Sequence, residues 1–316
     1  MKLTPKTEFD EPLLKFDFPS IHIGVAEYEL GKTGCTVFYF PHGAIASVDI
    51  RGGAPGTIMA GDGWVDAICY AGGSLYGLEA ATGVSAELFA LRNYSTHWYD
   101  IAVVRGAIIF DFLPRDNSIY PDKELGKAAL KAAKPDIFPL GARGAGRSAT
   151  VGKVFDFSNA ESAGQGGAFR QIGETKLAVF TIVNAIGAIV DRQGQVVRGL
   201  LNPNTGERCC TSDDLEQRIK FHLDARTAKG NTTLTLVATN QKLQSKQLKQ
   251  LAKQVHGSMA RAIQPFHTLD DGDVLYAVTT NEVENKYLET TALGILASEL
   301  AWDAVLSCFA NASSSN

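Results

Sequence analysis

Apolar and polar positions alternate through residues 20–50, the period of a half-buried strand, with breaks at Gly31 and at Pro41-His42-Gly43. Small-residue segments from Asp62 to Ala71 and from Ser74 to Leu91 read as helices. A strand is predicted from Ile101 to Phe112, then a helix from Lys123 to Lys134 behind the start signal Tyr120-Pro121-Asp122. Residues 137–149 form a Gly-rich loop, and strands follow at about 150–156, 175–183 and 186–198. Leu201 to Gly230 is polar and reads as a loop with one short helix inside a domain. The β-branched run that begins at Thr232 reads as a buried strand. An amphipathic helix over 243–263, a strand over 273–280 and a helix from about 289 complete the pattern, before a Ser/Asn tail at 311–316. Strand groups with helices between them predict an α/β protein whose sheets are covered on their outer faces.

Composition narrows the partners. The 316 residues are 45% hydrophobic and 20% charged, enough to bury a large core, and one domain is expected over 1–316. A net charge of −4 offers no basic footprint, so nucleic acid is not an expected partner. The five cysteines are odd in number, and Cys209 and Cys210 are adjacent, which suits reduced thiols in a cytoplasm. The opening Met1-Lys2-Leu3-Thr4-Pro5-Lys6 lacks the apolar core of a signal peptide. Thr291 to Ala310 is apolar but carries Glu299 and Asp303, so it reads as a core helix and no membrane partner is expected.

Several motifs fail on inspection. Gly146 and Gly152 enclose five residues, and Val154 follows Lys153, so no phosphate loop is present. Gly72-Gly73-Ser74-Leu75-Tyr76 places Tyr76 where a nucleophile elbow needs glycine. The six histidines are scattered without metal-type spacing, and neither His256 nor His267 has an evident acid partner; no metal or cofactor is expected. Asp270, Asp271 and Asp273 crowd a turn that reads as solvated, and Lys153 reads as a surface lysine. Asn184 lies between apolar Val183 and Ala185, where a buried amide needs a partner; a capping role is the simplest reading.

The junction Gly230-Asn231-Thr232 carries a chemical possibility. Cleavage before Thr232 would free an α-amine beside its hydroxyl, and such an amine titrates near pH ~8, so it can take the hydroxyl proton at neutral pH. Gly-Asn before a strand is also an ordinary turn.

Arg51-Gly52-Gly53-Ala54-Pro55-Gly56-Thr57, Ala71 to Gly77, Ser148 to Lys153, Gly230 to Asn240 and Arg261 to Asp273 occur in an order that resembles the DmpA-type N-terminal nucleophile hydrolases. Within that family the likeness is strongest to the nylon-oligomer hydrolase group. It covers about residues 13 to 308, through segments such as Tyr120-Pro121-Asp122-Lys123 and Gln264-Pro265-Phe266-His267-Thr268. The resemblance implies an αββα sandwich that cuts itself between Asn231 and Thr232, leaving chains 1–231 and 232–316. It implies Thr232 as nucleophile, surrounded by Lys153, Asn184, Asp271 and Asp273, in a homo-oligomer of αβ units, commonly a tetramer. The implied activity is hydrolysis of internal amide bonds in linear ω-amino-acid oligomers such as 6-aminohexanoate oligomers. A β-peptide or D-amino-acid aminopeptidase/esterase, and a non-catalytic self-processing assembly protein, stand as alternatives. One position departs: Phe110 in Ile109-Phe110-Asp111-Phe112 stands where the group has a tyrosine, removing a hydroxyl from the substrate pocket.

Overall fold

The computed structural model describes residues 3–112, 115–227 and 230–310; the Ser/Asn tail at 311–316 lies outside them. Nine strands share one hydrogen-bonded sheet: β1 (His22–Tyr28), β2 (Thr33–Ile50), β3 (Thr57–Ile58), β4 (Gly63–Ala71), β5 (Val104–Ile108), β6 (Gln165–Ile172), β7 (Thr175–Asn184), β8 (Thr232–Gln241) and β9 (Val274–Val283). Their order is β6-β7-β8-β9-β2-β4-β5-β3, with β1 also paired to β2. The principal helices are α1 (Leu78–Leu91), α2 (Lys123–Lys131), α3 (Thr211–Lys220), α4 (Ser245–Ser258) and α5 (Thr290–Ser307).

Strand β2 makes one sheet into two layers. Its first half pairs with β1 and β4; its second half pairs with β9 and, over residues 44–46, still with β4, across a register shift between Tyr39 and Ala44. Pro41-His42-Gly43 falls in that shift. It bends the strand instead of ending it, as a bulge does. Gly43 has φ 69°, and a Cβ there would fall 1.8 Å from the Trp64 ring. The two halves then stack face to face. Phe38 and Tyr70 from one half meet Phe180, Leu236 and Tyr276 from the other in a shared core. Tyr70 Oη crosses the gap to donate to the Thr235 carbonyl at 2.6 Å.

The central strands β7 and β8 bury both faces. In β8, Leu234, Leu236 and Ala238 point between the layers, while Val237 meets the helix side. Helices α4 and α5 cover that outer face through Leu248, Leu251, Leu293 and Ala297. Helices α1 and α2 cover the opposite face through Ala80, Val84, Leu125 and Ala129. The layering is αββα, as the resemblance implied.

Three sequence expectations change. Asp62 to Ala71 is strand β4 for most of its length, not helix: Ile68 and Tyr70 face the inter-sheet core while Ala67, Cys69 and Ala71 face helices. With both faces buried, no polar alternation marks it. Strand β6 falls where the pattern predicts no element, because Gly166 and Gly167 have no side chains to mark a strand. There α5 packs so close that a Cβ on Gly166 would fall 2.0 Å from the Ala304 carbonyl oxygen. The strand predicted over 150–156 shrinks to Thr150–Val151.

No helix among the described residues is long and apolar enough to cross a membrane. The acids of α5 lie on its exposed side, where Arg192 and Arg261 pair with Glu299, and Arg192 also with Asp303. All five cysteines are free thiols.

Phe180 is fully buried and packs its ring against Phe16, Phe38 and Phe138, with centroids 5.4, 5.4 and 4.9 Å away. Phe180→Ala should therefore cost about 3–5 kcal/mol, the range for a large aromatic replaced by a cavity. Urea unfolding of the variant measures it, and a loss below about 1 kcal/mol would contradict face-to-face stacking of the layers.

Candidate active site

The antiparallel pairing of β7 with β8 puts Asn184 opposite Thr232, at the same edge of the sheet. The parallel neighbour β9 brings the turn before it, residues 268–273, to that edge as well. Asn231 pairs with Asp271 as an isolated parallel bridge. The Thr232 hydroxyl donates to the Asn231 carbonyl oxygen at 2.5 Å, and the Gly272 N–H donates to the same oxygen at 2.8 Å. Two donors therefore polarise the peptide unit that precedes Thr232. Both Asn231 and Thr232 are buried. Gly272 has to be small: a Cβ there would approach Thr232 Oγ1 to 2.9 Å and the Ala54 carbonyl oxygen to 2.4 Å.

Lys153 is not at the surface. It is 4% exposed, and its Nζ donates to the Thr150 carbonyl, the Thr150 hydroxyl and the Asn184 Oδ1 at 3.0, 2.9 and 2.9 Å. Burial lowers its pKa to about 7, against the opposing pull of Asp271 and Asp111. The three bonds suit an ammonium, which has three protons to give, whereas burial favours the neutral amine. Burial dominates, because every bonded acceptor is neutral and repays little of the lost hydration. Asn184 is no helix cap. Its Oδ1 accepts from Lys153 and from the Thr150 N–H, and its Nδ2 donates to the Phe110 carbonyl at 2.9 Å. That nitrogen carries two protons, and the Phe110 carbonyl takes one.

The acidic turn is buried, not solvated, at two of its three carboxylates. Asp273 Oδ1 accepts from the Thr233 N–H at 2.7 Å, and its Oδ2 accepts from the His267 N–H at 3.3 Å and meets His267 Nδ1 at 2.8 Å. Burial raises the Asp273 pKa to about 6; Asp271 adds to the rise, and His267 and the Thr233 N–H oppose it. Asp271 Oδ2 accepts from the Thr268 N–H and hydroxyl at 2.9 and 2.7 Å. Its Oδ1 is buried and has no partner among the described residues. Asp270 stays outside, bonded to the Thr227 hydroxyl.

Phe110 is 38% exposed and borders this cluster. Gly230 lies flat on its ring: a Cβ there would sit 2.5 Å from Phe110 Cγ, and the backbone has φ 82°. Phe112 stands edge-on to Phe110 at 5.3 Å. The structure thus gathers Thr232, Asn231, Asn184, Lys153, Asp271, Asp273 and Phe110 at one end of the stacked layers.

Sequence reasoning missed four contributors. Thr150 and Gly272 lie inside the resemblance segments Ser148 to Lys153 and Arg261 to Asp273, but the resemblance gives neither a role. His267 was read as lacking an acid partner, yet it holds Asp273, and His256 Nδ1 meets Asp49 Oδ2 at 2.9 Å. The signal for His267 was present: it sits in the same short turn as the acids. Among the described residues no group of His, Cys, Asp and Glu could hold a metal ion.

The profile of peptidase family S58 matches residues 16–315. The chain belongs to peptidase family S58. It is 45% identical over 314 residues to a 6-aminohexanoate-oligomer endohydrolase of Agromyces sp. strain KY5R, covering 96% of this chain and 88% of that protein. Among solved structures, a Burkholderia sp. β-aminopeptidase superposes with a TM-score of 0.68 at 16% identity, over 92% of this chain and 84% of its own. The L-aminopeptidase D-Ala-esterase/amidase of Ochrobactrum anthropi, described as a variant of the Ntn-hydrolase fold, gives a TM-score of 0.64 at 16% identity, over 92% and 83% of the two chains. At such identities these neighbours speak for the fold. Membership of S58 makes this chain a hydrolase of amide bonds.

Proposed function

We propose that this S58 chain is one hydrolase domain over 1–316 that cuts itself between Asn231 and Thr232. The products are an α chain of 231 residues and a β chain of 316 − 231 = 85. The observation that carries this reading is the Asn231 carbonyl, which receives both the Thr232 hydroxyl and the Gly272 N–H. The hydroxyl oxygen attacks the Asn231 carbonyl carbon, and the C–N bond to Thr232 breaks. An ester forms and the Thr232 nitrogen gains a proton as a free amine; water then hydrolyses the ester. Thr233 is the poorer candidate, because its N–H is held by Asp273 inside the strand.

In the mature enzyme the same Thr232 oxygen attacks a substrate amide, and the new α-amine takes its proton. Asn184 Nδ2 donates to the oxyanion, a contact worth roughly 3–4 kcal/mol in other hydrolases. Asp271 and Asp273 orient the amine. Lys153, drawn toward neutrality by burial, tunes the hydroxyl or assists its proton transfer.

The substrate we assign is a linear ω-amino-acid oligomer cut at internal amides, as the name of the Agromyces relative suggests. The rings of Phe110 and Phe112 offer methylene chains an apolar wall at the border of the site, where Gly230 lies against Phe110. Self-association fits the exposed apolar segment after α1, where Trp98 is 88% exposed beside Tyr94, Tyr99 and Ile101. We assign αβ units in a homo-oligomer, a tetramer by the family resemblance, and the free thiols suit a cytoplasm.

Incubation with a defined 6-aminohexanoate oligomer tests the substrate. Mass spectrometry should find intermediate-length fragments before monomer accumulates. Stepwise release of single terminal units would make the enzyme an exo-acting aminopeptidase instead.

A further inference from the structure

His267 has a role that the reading above does not use. It leads into the turn that holds Asp271 and Asp273, and it adopts φ 60°, a left-handed conformation that few residues other than glycine take. That conformation aims both its backbone N–H and its ring at one oxygen, Asp273 Oδ2. The far side of the ring points elsewhere: Nε2 lies 3.2 Å from the His256 carbonyl oxygen. Its side chain is 14% exposed.

We infer that His267 is a positioning residue that keeps the Asp273 carboxyl paired and its charge cancelled beside the nucleophile strand. A carbonyl only accepts, so Nε2 carries a proton. An ionised carboxylate also only accepts, so the bond between Nδ1 and Oδ2 holds a second one. Drawn as carboxylate and imidazolium or as carboxylic acid and imidazole, the pair has the same protons and no net charge. Loss of that shared proton would set two lone pairs against each other at 2.8 Å.

The charges around the pair make this cancellation matter. Asp271 faces Asp273 from the same turn. From the end of α4, the His256 ring packs edge-on to His267 with centroids 4.4 Å apart, and Asp49 of β2 holds the far side of that ring. Arg51 Nε donates to Asp49 at 2.6 Å, and the Phe266 ring covers His267 at 3.8 Å. Asp273 Oδ1 touches the N–H of Thr233, one residue from the nucleophile. Burial pushes the Asp273 carboxyl toward its protonated form, and His267 opposes that push. With His267 supplying the counter-charge, Asp273 stays ionised to lower pH and keeps its hold on the strand that carries Thr232.

The inference rests on Thr232 acting through its own amine, and its test separates the two. His267→Gln keeps one donor to Asp273 but cannot carry the cancelling charge. In this variant the acid limb of the kcat/KM profile should move up by about one pH unit. Activity at pH 7 should fall about tenfold and recover by pH 9, which a purely structural lesion would not allow. Equal loss at every pH, or an unmoved limb, overturns the role of His267. If the variant does not fold, histidine-selective 15N spectra of the wild type decide instead: hydrogen on Nε2 of His267 is expected, and a ring bare at Nε2 overturns it. A Thr232→Ala chain that still turns over would sink the nucleophile reading itself.

Discussion

Thr232→Ala should leave the chain uncut and without amidase activity. Wild type should resolve on a denaturing gel into a large and a small chain, with the mass of the small one beginning at Thr232. The alanine variant should run as a single species, because it lacks the oxygen that attacks the Asn231 carbonyl. Its residual turnover should be about 10⁴-fold or more below wild type, the scale seen when a nucleophile is removed. Thr233→Ala is the internal control. Its hydroxyl has no partner in the core, so the variant should still split and still turn over. An uncut wild type with full activity would refute both halves of the mechanism.

Lys153→Met should separate catalysis from stability. Methionine has nearly the same length and reach but no amine, so kcat should fall roughly 10²–10³-fold, the weight of a proton-transfer group. Stability should move the other way at low pH. The folded pKa of Lys153 is lowered to about 7 from an ordinary 10.5, so below pH 7 the buried ammonium costs the folded state a few kcal/mol. That cost fades as pH rises from 7 toward 10.5, where the unfolded chain also loses its proton. Chemical denaturation at pH 6 and pH 9 reads this directly. Wild type should gain on methionine at the lower pH only if the three hydrogen bonds of Lys153 outweigh its desolvation. Stability of wild type that is flat between pH 7 and 10 would show that the amine is hydrated.

The unequal legibility of the chain has physical causes. Strand β8 was read correctly because its branched residues are unusual in any other setting. Strand β4 was misread because burial of both faces removes the alternation that distinguishes a strand from a helix of small residues. Strand β6 hid behind glycines whose purpose is to admit α5. The acidic turn looked solvated because three acids in a row of six residues normally are. Its burial became visible only with the partners that repay it: the Thr268 hydroxyl, the Thr233 N–H and His267.

By itself the amino-acid sequence determined which segments could be buried strands and which motifs could be assembled, because side-chain branching and polarity act locally. It placed a threonine at the start of a core strand and carried enough of a family pattern to imply the αββα layering. Only the tertiary structure decided the electrostatics. The pairing of β7 with β8 sets Asn184 opposite Thr232, and Lys153 joins them through its bond to Asn184 Oδ1. The parallel neighbour β9 brings Asp271 to Asn231. A lysine near neutrality and an aspartate held protonated to about pH 6 are properties of burial and neighbours. Spacing along a chain does not encode them, because the burial that moves each pKa comes from strands far apart in sequence, even where a partner such as His267 is a near neighbour.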